Sequence, residues 1–177
     1  PQEDVDFMWE AIRNGWLLAV SSDHCAVIGG FKIAKHRGIN DFSKIPPGSP
    51  GVQDRLHMIW TYGVEKGKIS RTKFVDVCCT TPAKICGIYP QKGEIAVGSD
   101  ADVVIFDPKY KGIFSNETSL HDTDYNAYEG FEQIGRAEKV FLRGSLVAEN
   151  GKFLGKEGQG QQVMAKPYGL CYDGFNK

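Results

Sequence analysis

The segment Ser21–Cys25 places a carboxylate, an imidazole and a thiol on consecutive residues, directly after the apolar run Trp16–Val20. A carboxylate at the C-terminal end of a buried parallel strand can ligate a metal ion or accept a proton. Asp23 is therefore the first candidate for a catalytic or metal-binding residue, the alternative being a structural aspartate that caps a helix or a loop. His24 and Cys25 could extend a metal site. Consecutive side chains usually point in different directions, however, which favours one that packs and one that forms hydrogen bonds.

The other cysteines and histidines do not have the spacing of a metal motif. Three cysteines fall in helical context without the C-x2-C spacing of a zinc knuckle, which favours small core side chains: Cys78, Cys79 and Cys86. Three histidines form neither an H-x-H nor an H-E-x-x-H motif: His36, His57 and His121. Three carboxylates flank an apolar run and predict a turn followed by an edge carboxylate rather than a calcium loop: Asp100, Asp102 and Asp107.

The elements that would position Asp23 form an α/β unit. Apolar residues recur at helical spacing from Glu3 to Asn14, and Gly15 occupies the position of a C-terminal cap. The run Trp16–Val20 is apolar on both faces, which is typical of a strand buried in a parallel sheet. Residues 26–51 are rich in Gly and Pro without a sustained period, so we expect a long loop of the kind that forms lids or site walls.

Further helices follow this loop. From Val52, apolar residues mark one helical face that ends near Gly67. Ser70 is the predicted N-cap of the next helix, and Thr81-Pro82 predicts a restart with an N-cap followed by proline at the first helical position.

The pattern changes from helical to strand-like after Tyr89-Pro90, so we predict a domain boundary near Gly93. Residues 93–107 predict a short strand, a Gly-Ser-Asp turn and a buried strand. Further strands are predicted over Lys139–Arg143 and Leu146–Glu149, and Asn150-Gly151 predicts a type I′ hairpin into residues 152–154.

Length, charge and composition exclude several classes of protein. The 177 residues can bury a core, but they are too few for a complete (β/α)8 barrel of roughly 250 residues. The formal net charge of -1 comes without a Lys/Arg cluster, so nucleic acid is not an expected partner. Apolar runs stay far short of the ~20 residues that cross a bilayer, so no membrane partner is expected either.

The five cysteines are odd in number and irregularly spaced, which predicts reduced thiols and a cytoplasmic protein. Pro1 stands where an initiator Met would, which indicates that the chain begins inside a longer protein.

Seven short motifs occur in one characteristic order along the chain. They are Ser22–Cys25, Asp41–Pro46, Gly51–Leu56, Thr81–Ile85, Tyr89–Gly93, Gly98–Asp102 and Asp124–Gly130. In this order they closely resemble the C-terminal portion of dihydropyrimidinases and D-hydantoinases, members of the amidohydrolase superfamily. The resemblance runs from the first helix to about Gly158, and only the tail diverges.

The resemblance implies an α/β fold that comprises the C-terminal part of a (β/α)8 TIM barrel and part of a small β-sandwich. Residues 1–92 would supply the last barrel strand, Trp16–Ser21, and its helices. Residues 93–154 would belong to the β-sandwich, and residues 155–177 would form a C-terminal arm.

The same resemblance implies a zinc centre. In the family, two zinc ions are held by an H-x-H pair, a bridging carboxylated lysine, two further histidines and one aspartate from the eighth strand. Only the aspartate maps to this chain, as Asp23. It would bind the more exposed metal, accept a proton from the attacking hydroxide and return it to the leaving nitrogen.

The implied activity is hydrolysis of the cyclic amide bond of dihydropyrimidines or hydantoins to N-carbamoyl amino acids. It would belong to the complete protein. A further hypothesis is that the 177 residues are only a proteolytic or split product, and alone they would have no hydrolase activity. The alternative is a non-catalytic scaffold or assembly protein like the collapsin response mediator proteins, which generally replace this aspartate. Retention of Asp23 favours the hydrolase.

One departure from the family lies beside the expected pocket. Hydantoinases usually have Asn after Lys-Ile-Pro, and its main-chain groups hydrogen-bond the substrate ring. Here that residue is Pro47, which keeps the carbonyl but has no N–H. The preceding loop is also about two residues longer, around residues 28–30.

The resemblance finally implies a homotetramer in which C-terminal arms reach neighbouring subunits. The aromatic residues of the tail, Tyr168, Tyr172 and Phe175, suit such an arm.

Overall fold

The computed structural model describes residues 1–27 and 29–166. These residues form α-helices, short π-helical and 3-10 turns, and one antiparallel sheet. The first helix, α1, spans Gln2–Asn14 and buries Ala11 and Ile12, which confirms the helix predicted from Glu3 to Asn14. Gly15 ends α1 in the left-handed region with φ 77°, where a residue without Cβ is favoured.

The predicted strand over Trp16–Val20 is not formed. These residues, all within the described part of the chain, take part in no strand pairing, and their bonds instead include Trp16 N–H to the Ala11 carbonyl (2.9 Å) and Val20 N–H to the Val77 carbonyl (3.1 Å). The exposed fractions of Trp16 and Leu18 are 61% and 54%, so the expected burial on both faces is also absent. An apolar run becomes a strand only where a partner strand satisfies its backbone groups.

The loop predicted over residues 26–51 contains three short helical turns. They are a π-helical turn over Gly30–Ala34 and 3-10 turns over Lys35–Gly38 and Phe42–Lys44. Turns of three to five residues are too short to show a helical apolar period, which is why the sequence predicted loop alone.

Three short helices follow, two of which continue directly into a π-helical turn. They are α2 (Arg55–Ile59) with the turn Trp60–Val64, α3 (Arg71–Val75) with the turn Asp76–Thr80, and α4 (Thr81–Ile85). Ser70 caps α3 as predicted, since its Oγ accepts the Lys73 N–H at 3.0 Å. The predicted N-cap at Thr81 is wrong: the chain stays helical there, and the Thr81 hydroxyl donates to Asp76 Oδ1 at 2.7 Å.

The sheet is a meander of four antiparallel strands in the order β1-β2-β3-β4. Its strands are β1 (Val103–Ile113), β2 (Glu132–Leu142), β3 (Ser145–Glu149) and β4 (Lys152–Phe153). Asn150 and Gly151 have φ 49° and 78°, which confirms the type I′ hairpin. Arg143 and Gly144 repeat this geometry, with φ 48° and 78°, between β2 and β3. The short strand predicted after Gly93 is absent from the described residues, and Ile95 is 84% exposed there.

The core lies where the helices meet the sheet. Trp60 packs edge-on against Phe74, with ring centroids 5.4 Å apart, and its ring lies 4.6 Å from that of Phe106 on β1. Gly135 on β2 permits this approach, since a Cβ there would lie 2.7 Å from Trp60 Cδ1 and 2.6 Å from Phe106 Cε1. Thr61 is fully buried, and its hydroxyl accepts the Ile134 N–H at 3.0 Å, which sets the position of β2 against the helices.

The longest described helix, α1, has 13 residues, and none of the described helices is long and apolar enough to cross a membrane.

Candidate functional site

Asp23 lies at a bend and is exposed to solvent. Its φ is 44°, in the left-handed region that Asp and Asn tolerate better than most residues. The bend is marked by a hydrogen bond from the His24 N–H to Ser22 Oγ (3.3 Å), whereas the Asp23 carboxylate forms none within residues 1–27 and 29–166. The carboxylate is therefore available for an external ligand.

His24 joins this bend by hydrogen bonds to the segment that precedes α2. Its Nδ1 accepts the N–H groups of Gly51 (3.1 Å) and Val52 (3.3 Å). His24 also forms an isolated parallel bridge with Ser49, whose carbonyl accepts the Cys25 N–H at 3.0 Å. A ring nitrogen that accepts N–H groups has no free lone pair for a metal, so His24 Nδ1 has a structural role, which supports the hydrogen-bonded alternative.

The ring of His121 lies tilted against that of His24, a contact that the sequence did not predict. The two ring centroids are 4.9 Å apart, and His121 Nε2 accepts the Gln53 N–H at 3.2 Å. Burial lowers the pKa of His121, with a smaller opposing contribution from Asp54. Within the described chain His121 Nδ1 is buried without a hydrogen-bond partner. The pair thus joins the residue after Asp23 to the backbone of residues 51–53.

Pro47 lies on the segment adjacent to this bend and is exposed. The carbonyls on either side of it, those of Pro46 and Gly48, both accept hydrogen bonds from Lys35 Nζ, at 2.9 and 2.6 Å. Gly48 has φ 109°, and a Cβ there would lie 2.8 Å from Cys25 Cβ. The structure thus brings the two predicted site residues, Asp23 and Pro47, onto neighbouring segments in close contact.

Asp124 holds the turn from which Lys35 projects. Its two carboxylate oxygens accept the N–H groups of Phe31 (2.5 Å) and Lys32 (3.1 Å), and these bonds lower the pKa of Asp124. The next residue, Tyr125, places its ring 5.9 Å from Lys35 Nζ and its hydroxyl 3.4 Å from the Gly48 carbonyl. The two Asp124 contacts join residues 93 and 92 positions apart and the Tyr125–Gly48 contact spans 77 positions, so no local signal in the sequence could have revealed them.

Two of the ordered motifs also meet here. Asn126 Nδ2 donates to Oδ2 of the buried Asp54 at 3.1 Å, which joins the motif Asp124–Gly130 to the motif Gly51–Leu56. The guanidinium of Arg55 donates to the Val20 carbonyl at 2.7 Å, at the end of the apolar run that leads to Asp23.

The other predicted candidates lie elsewhere. Cys78 is buried, and burial raises its pKa to about 12, so it is an inert core thiol. Cys79 and Cys86 are exposed, and the prediction that they belong to the core was wrong. Asp100 and Asp102 both bind Lys92, with Asp100 Oδ2 at 2.8 Å from Nζ, which confirms a structural turn.

No group of three or more His, Cys, Asp or Glu side chains in the described residues could hold a metal ion. Asp23 is accordingly a single potential ligand with its carboxylate unoccupied by other protein groups.

Comparison with known proteins shows which family this chain resembles. Residues 2–147 match the model of the amidohydrolase family. The D-hydantoinase of Ralstonia pickettii is 44% identical over 94% of this chain and 36% of its own length. The chain thus spans about a third of the length of the curated relatives it matches.

Solved structures of similar proteins superimpose on this chain. A D-hydantoinase (dihydropyrimidinase) from Thermus sp. superimposes with a TM-score of 0.86 at 40% identity, covering 91% of this chain and 34% of that chain. The dihydropyrimidinase of Brevibacillus agri gives a TM-score of 0.84 at 44% identity, covering 92% of this chain and 36% of that chain.

Proposed function

Because the chain belongs to the amidohydrolase family, we propose that it is the C-terminal segment of an enzyme that opens dihydropyrimidine or hydantoin rings to N-carbamoyl amino acids. The relatives named D-hydantoinase and dihydropyrimidinase support this substrate class. The observation that carries the proposal is the Asp23 carboxylate, exposed and without a protein partner among the described residues, at a bend fixed beside Pro47.

In the complete protein, Trp16–Ser21 is the last strand of a (β/α)8 barrel. There the side chains of Trp16 and Leu18 are buried, and neighbouring strands bind the backbone of this run. The described residues provide neither this burial nor these strands. Residues 1–92 belong to the barrel, 93–154 to a β-sandwich and 155–177 to an arm. Val104 (47% exposed) and Ile105 (45% exposed) point to opposite faces of β1, so apolar surface is uncovered on both sides of this strand, which supports further protein layers over it.

Two zinc ions are the proposed cofactor, and the residues present fit one ligand position. Asp23 offers a carboxylate oxygen, which zinc accepts, whereas the Nδ1 of His24 is already used by backbone N–H groups. When bound, the metal pair lowers the pKa of a water molecule so that it can attack at neutral pH.

Asp23 then serves the proton transfers of the reaction. As the water oxygen forms a bond to the ring carbonyl carbon, the Asp23 carboxylate accepts the proton that the water loses. When the carbon–nitrogen bond breaks, Asp23 returns that proton to the leaving nitrogen. The products are a carboxylic acid, which releases its proton to solvent at neutral pH, and an N-carbamoyl group on the same molecule, and Asp23 is restored to its ionised form.

Pro47 is the proposed substrate-binding residue. Its carbonyl can accept a hydrogen bond from a ring N–H, but it cannot donate one to a ring carbonyl. We therefore expect one main-chain contact to the ring at this position rather than two.

The test is Asp23→Asn in the complete, zinc-loaded protein, assayed with dihydrouracil and hydantoin. Asparagine tolerates the left-handed backbone of Asp23, so the substitution removes the charge without adding strain. We expect kcat to fall by roughly 10²–10⁴-fold, the usual contribution of a general acid-base group. Asp122→Asn is the matched control, because Asp122 is also an exposed aspartate.

A wild-type protein that binds zinc but hydrolyses neither substrate would contradict the proposal and indicate a scaffold protein of the same fold. Equal activity of Asp23→Asn and wild type would refute the role of Asp23.

We also propose that the complete enzyme is a cytoplasmic homotetramer assembled through its C-terminal arm. The tail residues Tyr168, Tyr172 and Phe175 lie outside the described residues. Sedimentation of the complete protein as a monomer would argue against this assembly, and turnover by the 177-residue chain alone would show that the remaining ligands are dispensable.

A further inference from the structure

Lys35 forms hydrogen bonds to the segment that carries Pro47. Its ammonium donates to the carbonyls of Pro46 and Gly48, which flank Pro47 on both sides. The ammonium forms no ion pair with a carboxylate in the part of the chain that the structure describes, and its nearest aromatic group is the Tyr125 ring, 5.9 Å away. A lysine that is partly buried without a counter-ion, and whose donors are used on two carbonyls, acts on the conformation of that backbone segment.

The geometry leaves the middle carbonyl free. Lys35 draws the carbonyls of Pro46 and Gly48 toward one point, and no described group donates a hydrogen bond to the Pro47 carbonyl. Proline restricts the backbone further, because its φ is fixed near -65°. Pro47 is exposed, so its free carbonyl is accessible to a ligand.

The position of Lys35 is itself fixed from a distance. Asp124 accepts the N–H groups of Phe31 and Lys32 at the start of the turn Gly30–Ala34 that leads directly to Lys35. Gly30, with φ 52°, permits this contact, since a Cβ there would lie 2.0 Å from Asp124 Oδ1. Tyr125 covers the ammonium and contacts the Gly48 carbonyl.

We propose that Lys35 is a positioning residue for substrate: it pins the carbonyls on both sides of Pro47 so that the Pro47 carbonyl points to a ring N–H of the cyclic amide. This inference rests on the proposed function. A contact to a ring N–H exists before and during the reaction, so its loss weakens binding of substrate and transition state alike and raises KM more than it lowers kcat.

The experiment compares Lys35→Met with Lys32→Met in the complete, zinc-loaded protein. Methionine has a similar length and no donor, and Lys32 is an exposed lysine of the same segment whose hydrogen bond to Asp124 is donated by its backbone N–H, which the substitution keeps. For hydantoin we expect Lys35→Met to raise KM roughly tenfold, which corresponds to about 1.4 kcal/mol, with kcat changed by no more than about twofold. We expect Lys32→Met to match wild type.

Hydantoins methylated at N1 or at N3 separate positioning from general damage. One of the two methylated rings lacks the N–H that faces Pro47, so for this substrate the KM values of wild type and Lys35→Met should coincide. A KM increase of equal size on all three rings, or a loss confined to kcat, would overturn the positioning role.

Amide hydrogen exchange gives a readout that does not need activity. The Cys25 N–H is bonded to the Ser49 carbonyl, one residue from Gly48. We expect Lys35→Met, but not Lys32→Met, to accelerate exchange at Cys25. Unchanged exchange there would refute the inference even if the enzyme is active. If the wild-type protein has no hydrolase activity but Lys35→Met still accelerates exchange at Cys25, the proposed function is refuted and Lys35 remains the residue that orders this segment.

Discussion

Burial sets the protonation of His57, which packs against the sheet. Its Nε2 accepts the Ala137 N–H at 3.4 Å, and its ring lies 6.4 Å from that of Phe106. Burial lowers the pKa of His57 from the ordinary value of 6.5, and the charge of Asp54 opposes this only in part. The folded protein therefore holds this imidazole in its neutral form.

The lowered pKa of His57 makes the stability of the folded protein depend on pH. Because the unfolded chain binds the His57 proton more tightly than the folded chain does, the contribution of His57 to stability is complete above pH 6.5 and declines as the pH falls below it. We expect the free energy of unfolding, measured by urea titration, to decrease from pH 7 to pH 5. His57→Gln should reduce this decrease, and His36→Gln, a change at an exposed histidine, should leave it as in wild type. The same pH slope in His57→Gln and wild type would show that another group is responsible.

Residue types and local position were enough to single out Asp23 as a candidate, but they did not indicate the residues around it. A carboxylate that follows an apolar run is visible in the sequence, and so is the substitution to Pro47 in a recognisable motif. The roles of Lys35, Asp124 and His121 depend on contacts between distant segments, such as the contact between the rings of His24 and His121. Such contacts exist only once the chain is folded, so no spacing rule could predict them.

Turns are the elements in which backbone geometry and residue type agree most closely. Asn150-Gly151 joins β3 to β4 with both residues in the left-handed region. A Cβ on Gly151, at φ 78°, would meet no atom within 4 Å, so a substitution there adds backbone strain without a clash.

We expect Gly151→Ala to reduce the free energy of unfolding by about 1 kcal/mol, the lower end of the usual cost of the left-handed region for a residue with a Cβ. Gly160→Ala is the control, because Gly160 has no neighbour within 4 Å and no left-handed φ. Thermal and urea unfolding measure both. If the two variants are equally stable, the turn does not depend on glycine at this position.

Elements with local signals were predicted well, and elements that need partners were not. The Asn-Gly pair predicted its hairpin because I′ turns require positive φ at both central residues. The equivalent turn at Arg143-Gly144 was missed because arginine is not a typical turn residue, although its φ is 48°. The strands predicted over Trp16–Val20 and after Gly93 are not formed. An apolar pattern predicts a strand but does not reveal whether a partner strand is present.

At the scale of the molecule, one glycine decides how closely the helices approach the sheet. Gly135 on β2 faces Trp60 and Phe106, and its φ of 74° adds a backbone requirement to the steric one. The Trp60 ring can therefore lie directly on the strand.

We expect Gly135→Ala to lower the free energy of unfolding by about 3 kcal/mol, the sum of left-handed strain and overpacking. Gly130→Ala provides the matched control: its φ is 79°, but a Cβ there would have no atom within 4 Å. It should cost about 1 kcal/mol, the strain alone. Equal losses in the two variants would mean that the Trp60 contact yields without cost.

The meander has a consequence for the order in which the chain folds. β2, β3 and β4 are joined by two-residue turns, so their pairing closes only short loops, whereas β1 reaches β2 across residues 114–131 and α1 packs on side chains as distant as Trp60 and Phe74. Short loops close fastest, with isolated hairpins forming in about 1–10 μs. The hairpins β2-β3 and β3-β4, synthesised after α1 and β1, are therefore expected to pair before α1 and β1 dock onto the rest of the fold, so that the ribosome delivers this chain in nearly the reverse of the order in which its tertiary contacts form.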